Sequence, residues 1–411
     1  MKTNTFTLIT EGTVSSPAGF LASGVCAGLK RSGANDMALI FSKRPANFAG
    51  SFTSCLFAAA PVVLDRERVL SQPFAQAIIV NSGNANACTG EEGYKRAVKM
   101  AALTAEALNI PEEQVLVSST GRIGVDLPMD KISKGVSLAA SALSENGGHA
   151  AACAIMTTDT RPKELAVEFK SVSGKTVRVG GMVKGAGMIA PQMTVPHATM
   201  LAYITSDAGA SNAFLAKELN AALPLSFNRI TVDGDMSTND TVLVLANGSS
   251  GVDVEADPRD AERFAESFQF VMSSLARQIV EDGEGMTKFV NVEINGAATE
   301  EDARLCANAI ANSLLCKTAW FGGDPNWGRV LAAAGRSGAK FDPSKVSLDY
   351  DSTPVVRNGR DVGTPEASLA EVMKKKEFSV SLNLGAGEAS FTVWTNDVSY
   401  EYVKINADYH T

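Results

Sequence analysis

The sequence predicts an α/β protein, and three observations carry that expectation. Its 411 residues exceed one ordinary domain and suggest two modules or one large α/β unit. Hydrophobic residues make up 45% and charged residues 20%, the proportions of a globular chain with ample core. Short β-prone runs alternate with helix-periodic stretches along most of the length.

Residues 1–75 read as short β-like runs and turns, as in Asp36-Met-Ala-Leu-Ile-Phe41 and Ala60-Pro-Val-Val-Leu64. A strand over 76–80 feeds the loop Asn81-Ser-Gly-Asn-Ala-Asn-Ala-Cys-Thr-Gly90, and an apolar-periodic helix then runs to about Leu108. Small residues between strand and helix are the layout of an anion nest. The loop has neither a GK[ST] ending nor a GxGxxG, so a tight turn that needs Asn and Gly for positive φ is the plainer reading. A second strand over 114–117 ends in Ser118-Ser-Thr-Gly-Arg-Ile-Gly124. There a hydroxyl or an N–H can face an oxyanion, or the chain can simply turn. A helix over 132–143 follows. In Ala154-Ile-Met-Thr-Thr-Asp-Thr160, the hydroxyls and one carboxylate either form an Asx or ST turn ahead of Pro162 or face a ligand.

Next comes a glycine-rich stretch with a single cation, Lys184-Gly-Ala-Gly-Met-Ile-Ala190, followed by Pro191 and Pro196, which fix φ and bar regular structure. It gives way to the β-prone run Thr199-Met-Leu-Ala-Tyr-Ile-Thr205. A small Ala198–Thr199 pair thus stands where a constrained loop becomes a core strand. If the loop strains that peptide, the Thr199 hydroxyl can attack the Ala198 carbonyl. Hydrolysis of the ester then leaves Thr199 with a free amine beside its own hydroxyl, the N-terminal threonine form of nucleophile. Most Ala-Thr pairs at strand starts serve packing and β-propensity alone.

In the second half, residues 211–223 read as an amphipathic helix capped by Ser211, and a polar loop with Asp233, Asp235, Asn239 and Asp240 leads to a strand over 241–245. That loop lacks the bidentate glutamate of a calcium site. Asp257-Pro258 opens a long helix whose buried face is Phe264, Phe268, Val271, Leu275 and Ile279. It runs out at Asp282-Gly-Glu-Gly285, a sharp turn presenting Glu284; most such loop carboxylates are solvated and idle. Thr299-Glu-Glu-Asp302 looks like a capping box. The loop Trp320-Phe-Gly-Gly-Asp-Pro-Asn-Trp-Gly-Arg329 can pack under a site or line it. Two further strands and a helix after Pro365 lead to the end of the chain, of the kind that usually frays.

Composition also excludes. A net charge of -8 argues against nucleic acid as a partner. No run approaches the ~18 apolar residues that span a bilayer, and Met1-Lys-Thr-Asn-Thr-Phe6 opens no signal-like apolar region. Six cysteines without a CxxC pair read as reduced, mostly buried thiols of a cytoplasmic protein. With three histidines only (His149, His197, His410), a Ser-His-Asp triad or a histidine-built zinc site has few candidates. Metal catalysis is therefore disfavoured, and a base has to come from elsewhere.

Lys184-Gly-Ala-Gly-Met-Ile-Ala-Pro191 followed by Ala198-Thr-Met-Leu201 resembles the signature of the ornithine acetyltransferase family, the bifunctional glutamate N-acetyltransferases/amino-acid acetyltransferases of arginine biosynthesis. Asn81-Ser-Gly-Asn-Ala-Asn-Ala87 and Asp233-Gly-Asp-Met-Ser-Thr-Asn-Asp240 are similar to that family too, so the likeness runs from about Asn81 to Thr411; the segment 193–197 makes the scissile loop a few residues longer than usual. The resemblance implies a layered α/β fold of the N-terminal-threonine-nucleophile type, built jointly by an α chain (1–198) and a β chain (199–411) cut at Ala198–Thr199. It implies acetyl transfer from N2-acetylornithine to glutamate through acetyl-Thr199, with Thr120 and Gly121 as the oxyanion hole. It implies substrate contacts from Thr157 or Thr158, Lys184, Glu284 (to the amino group), Asn406 and Thr411, the last two on a C-terminal end folded into the site and anchored by Tyr402, Val403 and Ile405. No cofactor and no metal are implied. Acetyl-CoA is a co-substrate for some members, and members of both kinds share these motifs. The expected partners are amino-acid substrates and the two pieces of the same precursor, as two α and two β chains, with no nucleic acid and no membrane. One rival is an N-terminal-nucleophile aminopeptidase or amidase, in which water replaces glutamate. Another is an uncleaved phosphate- or nucleotide-binding module using the loops 81–90 and 184–187, disfavoured by the missing Walker lysine.

Overall fold

The structure, a computed structural model, describes residues 5–190 and 200–408. Ala198, Thr199 and Thr411 lie outside the described residues. The fold is a mixed α/β one that divides into two compact units. The first holds residues 1–228 and 236–279, and the second holds 229–235 and 280–410.

In the first unit the strands are β1 (Thr7–Ile9), β2 (Phe20–Val25), β3 (Met37–Phe52), β4 (Ala75–Asn84), β5 (Val115–Arg122), β6 (Lys163–Lys170), β7 (Thr176–Lys184), β8 (Leu201–Ser206) and β9 (Thr241–Ala246). They join in the order β1-β6-β7-β8-β9-β3-β4-β5, with β2 on β3. The long β3 makes this continuity: its first half pairs with β2 and β4, its second half with β9. Among the described residues, six helices accompany them: α1 (Ala60–Ser71), α2 (Gly90–Leu108), α3 (Met129–Ser141), α4 (Gly148–Ile155), α5 (Asn212–Ala222) and α6 (Pro258–Val280). Ile79 and Val117 of the sheet share one core with Met100, Ala101, Ile132 and Val136 of α2 and α3. Another core gathers Tyr203, Leu243 and Met182 with Ala151 and Ile155 of α4. The five apolar residues expected on the buried face of α6 are all buried, and Ser211 caps α5 by accepting from Phe214 N.

Two expectations for this unit change. The run Ala60-Pro-Val-Val-Leu64 is the first turn of α1, not a strand. Pro61 suits a helix start, and Leu64 and Arg68 continue its buried face one turn on. Residues 81–84, expected as loop, continue β4 and pair in parallel with β5 as Asn81↔Ser119, Ser82↔Thr120 and Gly83↔Gly121. Side chains make that tolerable in a buried strand: Asn81 Nδ2 donates to Asn84 O (2.8 Å) and Ser119 Oγ to Asn81 Oδ1 (2.6 Å). Thr120 and Gly121 accordingly belong to the strand itself rather than to a turn after it.

The second unit carries β10 (Phe289–Ala297), α7 (Glu300–Ala311), α8 (Leu314–Gly322), α9 (Trp327–Gly335), β11 (Ser347–Tyr350), β12 (Thr353–Arg357), β13 (Arg360–Asp361), α10 (Glu366–Met373), β14 (Glu377–Asn383), β15 (Ala389–Asn396) and α11 (Tyr400–Asp408). Its sheet runs β13-β12-β11-β14-β10-β15. Val290, Val292 and Ile294 of β10, between β14 and β15, pack with Ile310, Trp320 and Phe378. Thr299 caps α7 by accepting from Asp302 N. The end of the chain forms α11, and the expected anchoring is only partial. Val403 is 61% exposed and Tyr402 and Ile405 are half-buried, because the three residues fall on different sides of one short helix. The thiols also differ from expectation: Cys306 and Cys316 are buried, but Cys26 and Cys88 are exposed. Among the described residues, no helix is long and apolar enough to cross a membrane.

Candidate active site

Strand pairing assembles the site of the first unit. β7 ends at Lys184, whose register partner on β8 is Leu201, two positions after Thr199 in sequence. Parallel β4 and β5 stay paired to Asn84 and Arg122, with Gly83 opposite Gly121 just before their ends. Gly121 has φ +131°, and a Cβ there would lie 2.4 Å from the Gly83 carbonyl carbon, so only glycine lets the two strands close at this point. Gly121→Ala is expected to destabilise the fold by about 2 kcal/mol, read as a lower urea midpoint at unchanged slope; an unshifted midpoint would mean that this closure is soft.

Thr120 is 9% exposed, and Lys184 Nζ donates to its Oγ1 at 3.4 Å. An ammonium and a hydroxyl therefore stand together at one strand end. Behind them lies Asp159, fully buried. Its Oδ1 accepts from Lys163 Nζ (2.6 Å) and Gly185 N (2.7 Å), and its Oδ2 accepts from Thr157 N (2.9 Å). Burial alone would raise this carboxyl. The Lys163 and Lys184 cations, with the bonds from Lys163 and Gly185, outweigh burial and hold it at about 2. One carboxylate thus fixes both the segment of Thr157 and Thr158, half-buried beside it, and the glycine turn after Lys184. Met200, the residue joined to Thr199, is described: its carbonyl accepts from Thr241 N (2.6 Å), and its Cβ lies 3.6 Å from where a Gly185 side chain would begin.

Sequence reasoning missed three members of this arrangement. By sequence Asp159 is one polar group of a stretch that either turns ahead of Pro162 or faces a ligand, with no sign of a buried organising role. Asn239, taken as part of a polar loop, is buried and donates to Ala85 O (2.6 Å) and Ser119 O (2.8 Å), tying together the ends of β4 and β5 next to Thr120. Lys30 belongs to no motif. Its Nζ donates to Asn35 O (2.7 Å) and Ala154 O (3.3 Å), and burial lowers its pKa against the pull of Asp36 and Asp159. The only sequence signal for Asn239 and Asp159 was their setting among small polar residues beside β-prone runs.

In the second unit the structure brings together Glu284 and Asn406. Asn406 Nδ2 donates to Glu284 Oε2 at 2.7 Å, and Glu284 is buried. The turn bearing Glu284 is held from the far end of β15: Asp397 Oδ1 accepts from Thr287 N (2.8 Å) and Lys288 N (3.0 Å), and Ser399 Oγ donates to Gly285 O (2.5 Å). Gly285 has φ +66°, and a Cβ would meet Tyr402 N at 2.5 Å, so glycine is what allows α11 to approach. Nearby, Lys317 is buried with its Nζ bonded to Thr395 Oγ1 (2.8 Å), and burial pulls it down to about 7 although Asp233 and Asp397 push the other way. Among the described residues, no group of three or more His, Cys, Asp or Glu side chains is placed to hold a metal.

The model of the ArgJ family matches residues 21–411. The arginine biosynthesis bifunctional protein ArgJ of Symbiobacterium thermophilum is 50% identical over 404 residues, covering 97% of this chain and 99% of that protein. The glutamate N-acetyltransferase of Methanocaldococcus jannaschii is 47% identical over 412 residues, covering 98% of this chain and all of that protein. Among solved structures, the ornithine acetyltransferase of Mycobacterium tuberculosis complexed with ornithine is 41% identical, covering 46% of this chain and 100% of that one, with a TM-score of 0.42.

Proposed function

The chain belongs to the ArgJ family, and on that premise we propose that it is an autoprocessed acetyltransferase of arginine biosynthesis, moving the acetyl group of N2-acetylornithine to glutamate. Thr199 is the nucleophile, freed by attack of its own hydroxyl on the Ala198 carbonyl and hydrolysis of the resulting ester. The new α-amine then takes the proton of the Thr199 hydroxyl as the oxygen attacks the acetyl carbonyl. Thr120 and Gly121 face the oxyanion, the C–N bond breaks, and the departing amine of ornithine takes the proton. The glutamate amine attacks the acetyl-threonine ester by the reverse steps.

The observation that carries this reading is the described cluster on either side of residues 191–199. Lys184 stands within hydrogen-bond reach of Thr120, Gly185 is tied to Asp159, and Met200 packs against Gly185. Preorganised positive charge beside a hydroxyl, where charge develops in acyl transfer, is the largest single catalytic term in such sites. Strand β8 also supports a fold built by both pieces: it pairs antiparallel with β7, from before the proposed cut, and in parallel with β9, from after it. In this proposal Lys184 and Thr157 or Thr158 hold the amino-acid substrate, Glu284 with Asn406 takes its amino group, and Thr411 belongs to the same set. The processed enzyme is a cytoplasmic assembly of two N-terminal and two C-terminal pieces. It needs no metal or cofactor, and acetyl-CoA is a second donor to be tested directly.

An assay with acetylornithine, with and without glutamate, tests the reaction. Acetylglutamate formation is expected, and release of free acetate at the same rate without glutamate would favour a hydrolase. For recognition, Glu284→Gln is expected to lower kcat/KM for acetylornithine about tenfold or more while leaving self-cleavage intact, since one bond to a charged group is worth ~1.5–3 kcal/mol. An unchanged kcat/KM would remove Glu284 from the site.

A further inference from the structure

Apart from the groups used above, α4 and β6 bring together a cysteine, a histidine and a glutamate. Cys153 and His149 lie one helical turn apart on α4, with Cys153 Sγ 3.7 Å from His149 Nε2. His149 Nδ1 lies 2.5 Å from Glu164 Oε1 on β6. A carboxylate only accepts, so the hydrogen of that contact sits on Nδ1, and in the neutral imidazole Nε2 carries the lone pair toward the thiol. The imidazole is 65% exposed and the glutamate side chain 17%, so the base is open to solvent while its orienting partner is held. This is the ordering of a nucleophile, a base and an orienting group.

We propose that Cys153 is an activated thiol and a modification site that exchanges with small disulfides. His149 Nε2 takes the thiol proton, and Sγ attacks one sulfur of the incoming disulfide. The Sγ–S bond forms as the S–S bond breaks, and the departing thiolate takes the proton from the imidazolium. One disulfide replaces another, so no outside oxidant or reductant is needed. Burial and the Glu164 charge push the Cys153 thiol up, and the Lys30 cation pulls the other way. The resting group is therefore the neutral thiol, and its reactivity depends on His149 during the attack rather than on a standing thiolate. Cys306 and Cys316 are buried, and burial pushes both thiols up, so neither competes for an incoming disulfide.

The full chain is incubated with the disulfide of mercaptoethanol, and mass spectrometry of its peptides follows each cysteine with time. Cys153 is expected to gain the mixed disulfide, and His149→Gln to slow that step at least about a hundredfold, the lower end for loss of a general base. The rates at exposed Cys26 and Cys88 should stay unchanged, which reports that the fold is intact. Glu164→Gln, a second variant, is expected to slow Cys153 alone by freeing the imidazole to turn. An unlabelled Cys153 in the unaltered protein, or equal Cys153 rates with and without His149, overturns the proposal.

Discussion

Thr199→Ala is expected to yield one uncut chain of 43.1 kDa that transfers acetyl at least about a thousandfold more slowly, where the unaltered protein gives two pieces of similar size. Two losses coincide in this variant. No hydroxyl remains to attack the Ala198 carbonyl, so the peptide bond is not relayed to an ester. In the proposed mechanism the acceptor of the acetyl group is gone as well, and with it the amine that would serve as base. Thr199→Ser separates the two, because serine keeps the hydroxyl: cleavage and some transfer should return. Gel electrophoresis and an acetylglutamate assay on the three proteins check this. Two pieces from the alanine variant would place the cut elsewhere.

Asp159→Asn is expected to destabilise the protein by about 3 kcal/mol or more, the usual loss when one partner of a buried ion pair is removed. Both side chains of the Asp159–Lys163 pair are fully buried, and the same carboxylate holds Gly185 N and Thr157 N. The pH dependence has a definite sign. The folded pKa of about 2 lies below the ordinary aspartate value of 3.8, so the carboxylate contributes stability that is present above pH 3.8 and lost as pH falls toward 2. That contribution is about 2 kcal/mol. Urea melts of the unaltered and Asn proteins should differ most near pH 6 and converge on acidification. A constant difference across that range, or one under about 1 kcal/mol, would show that Asp159 does not organise these turns.

Much of the architecture was legible because apolar periodicity reports burial directly. The five apolar positions of α6, the Ser211 and Thr299 caps, and the buried run that became β8 are all recoverable from spacing. Periodicity failed where polar side chains do structural work inside a sheet. Asn81, Ser82, Ser119 and Asn239 look like loop formers, yet each is buried and hydrogen-bonded, and together they let β4 and β5 reach Gly83 and Gly121. Ala60-Pro-Val-Val-Leu64 misled for the opposite reason, since β-branched residues after a proline suit a strand by propensity while Pro61 marks a helix start by geometry. At the site, Thr120, Lys184, Glu284 and Asn406 all enter through resemblance, since spacing alone reads the first two as a turn and a solvated lysine. Asp159 and Lys30 also reach Gly185 and Ala154, partners distant in sequence that spacing along a chain does not encode.

The central claim is that acetyl passes through the amino-terminal residue of the second piece, and mass analysis of that piece tests it most directly. The purified protein, mixed briefly with acetylornithine in the absence of glutamate and quenched in acid, should give a C-terminal piece beginning Thr-Met-Leu-Ala. A fraction of it should be heavier by one acetyl group carried on its first residue, and addition of glutamate before the quench should remove that mass. An uncut chain that still transfers acetyl, or an acetyl group that stays on any other residue, would contradict the account.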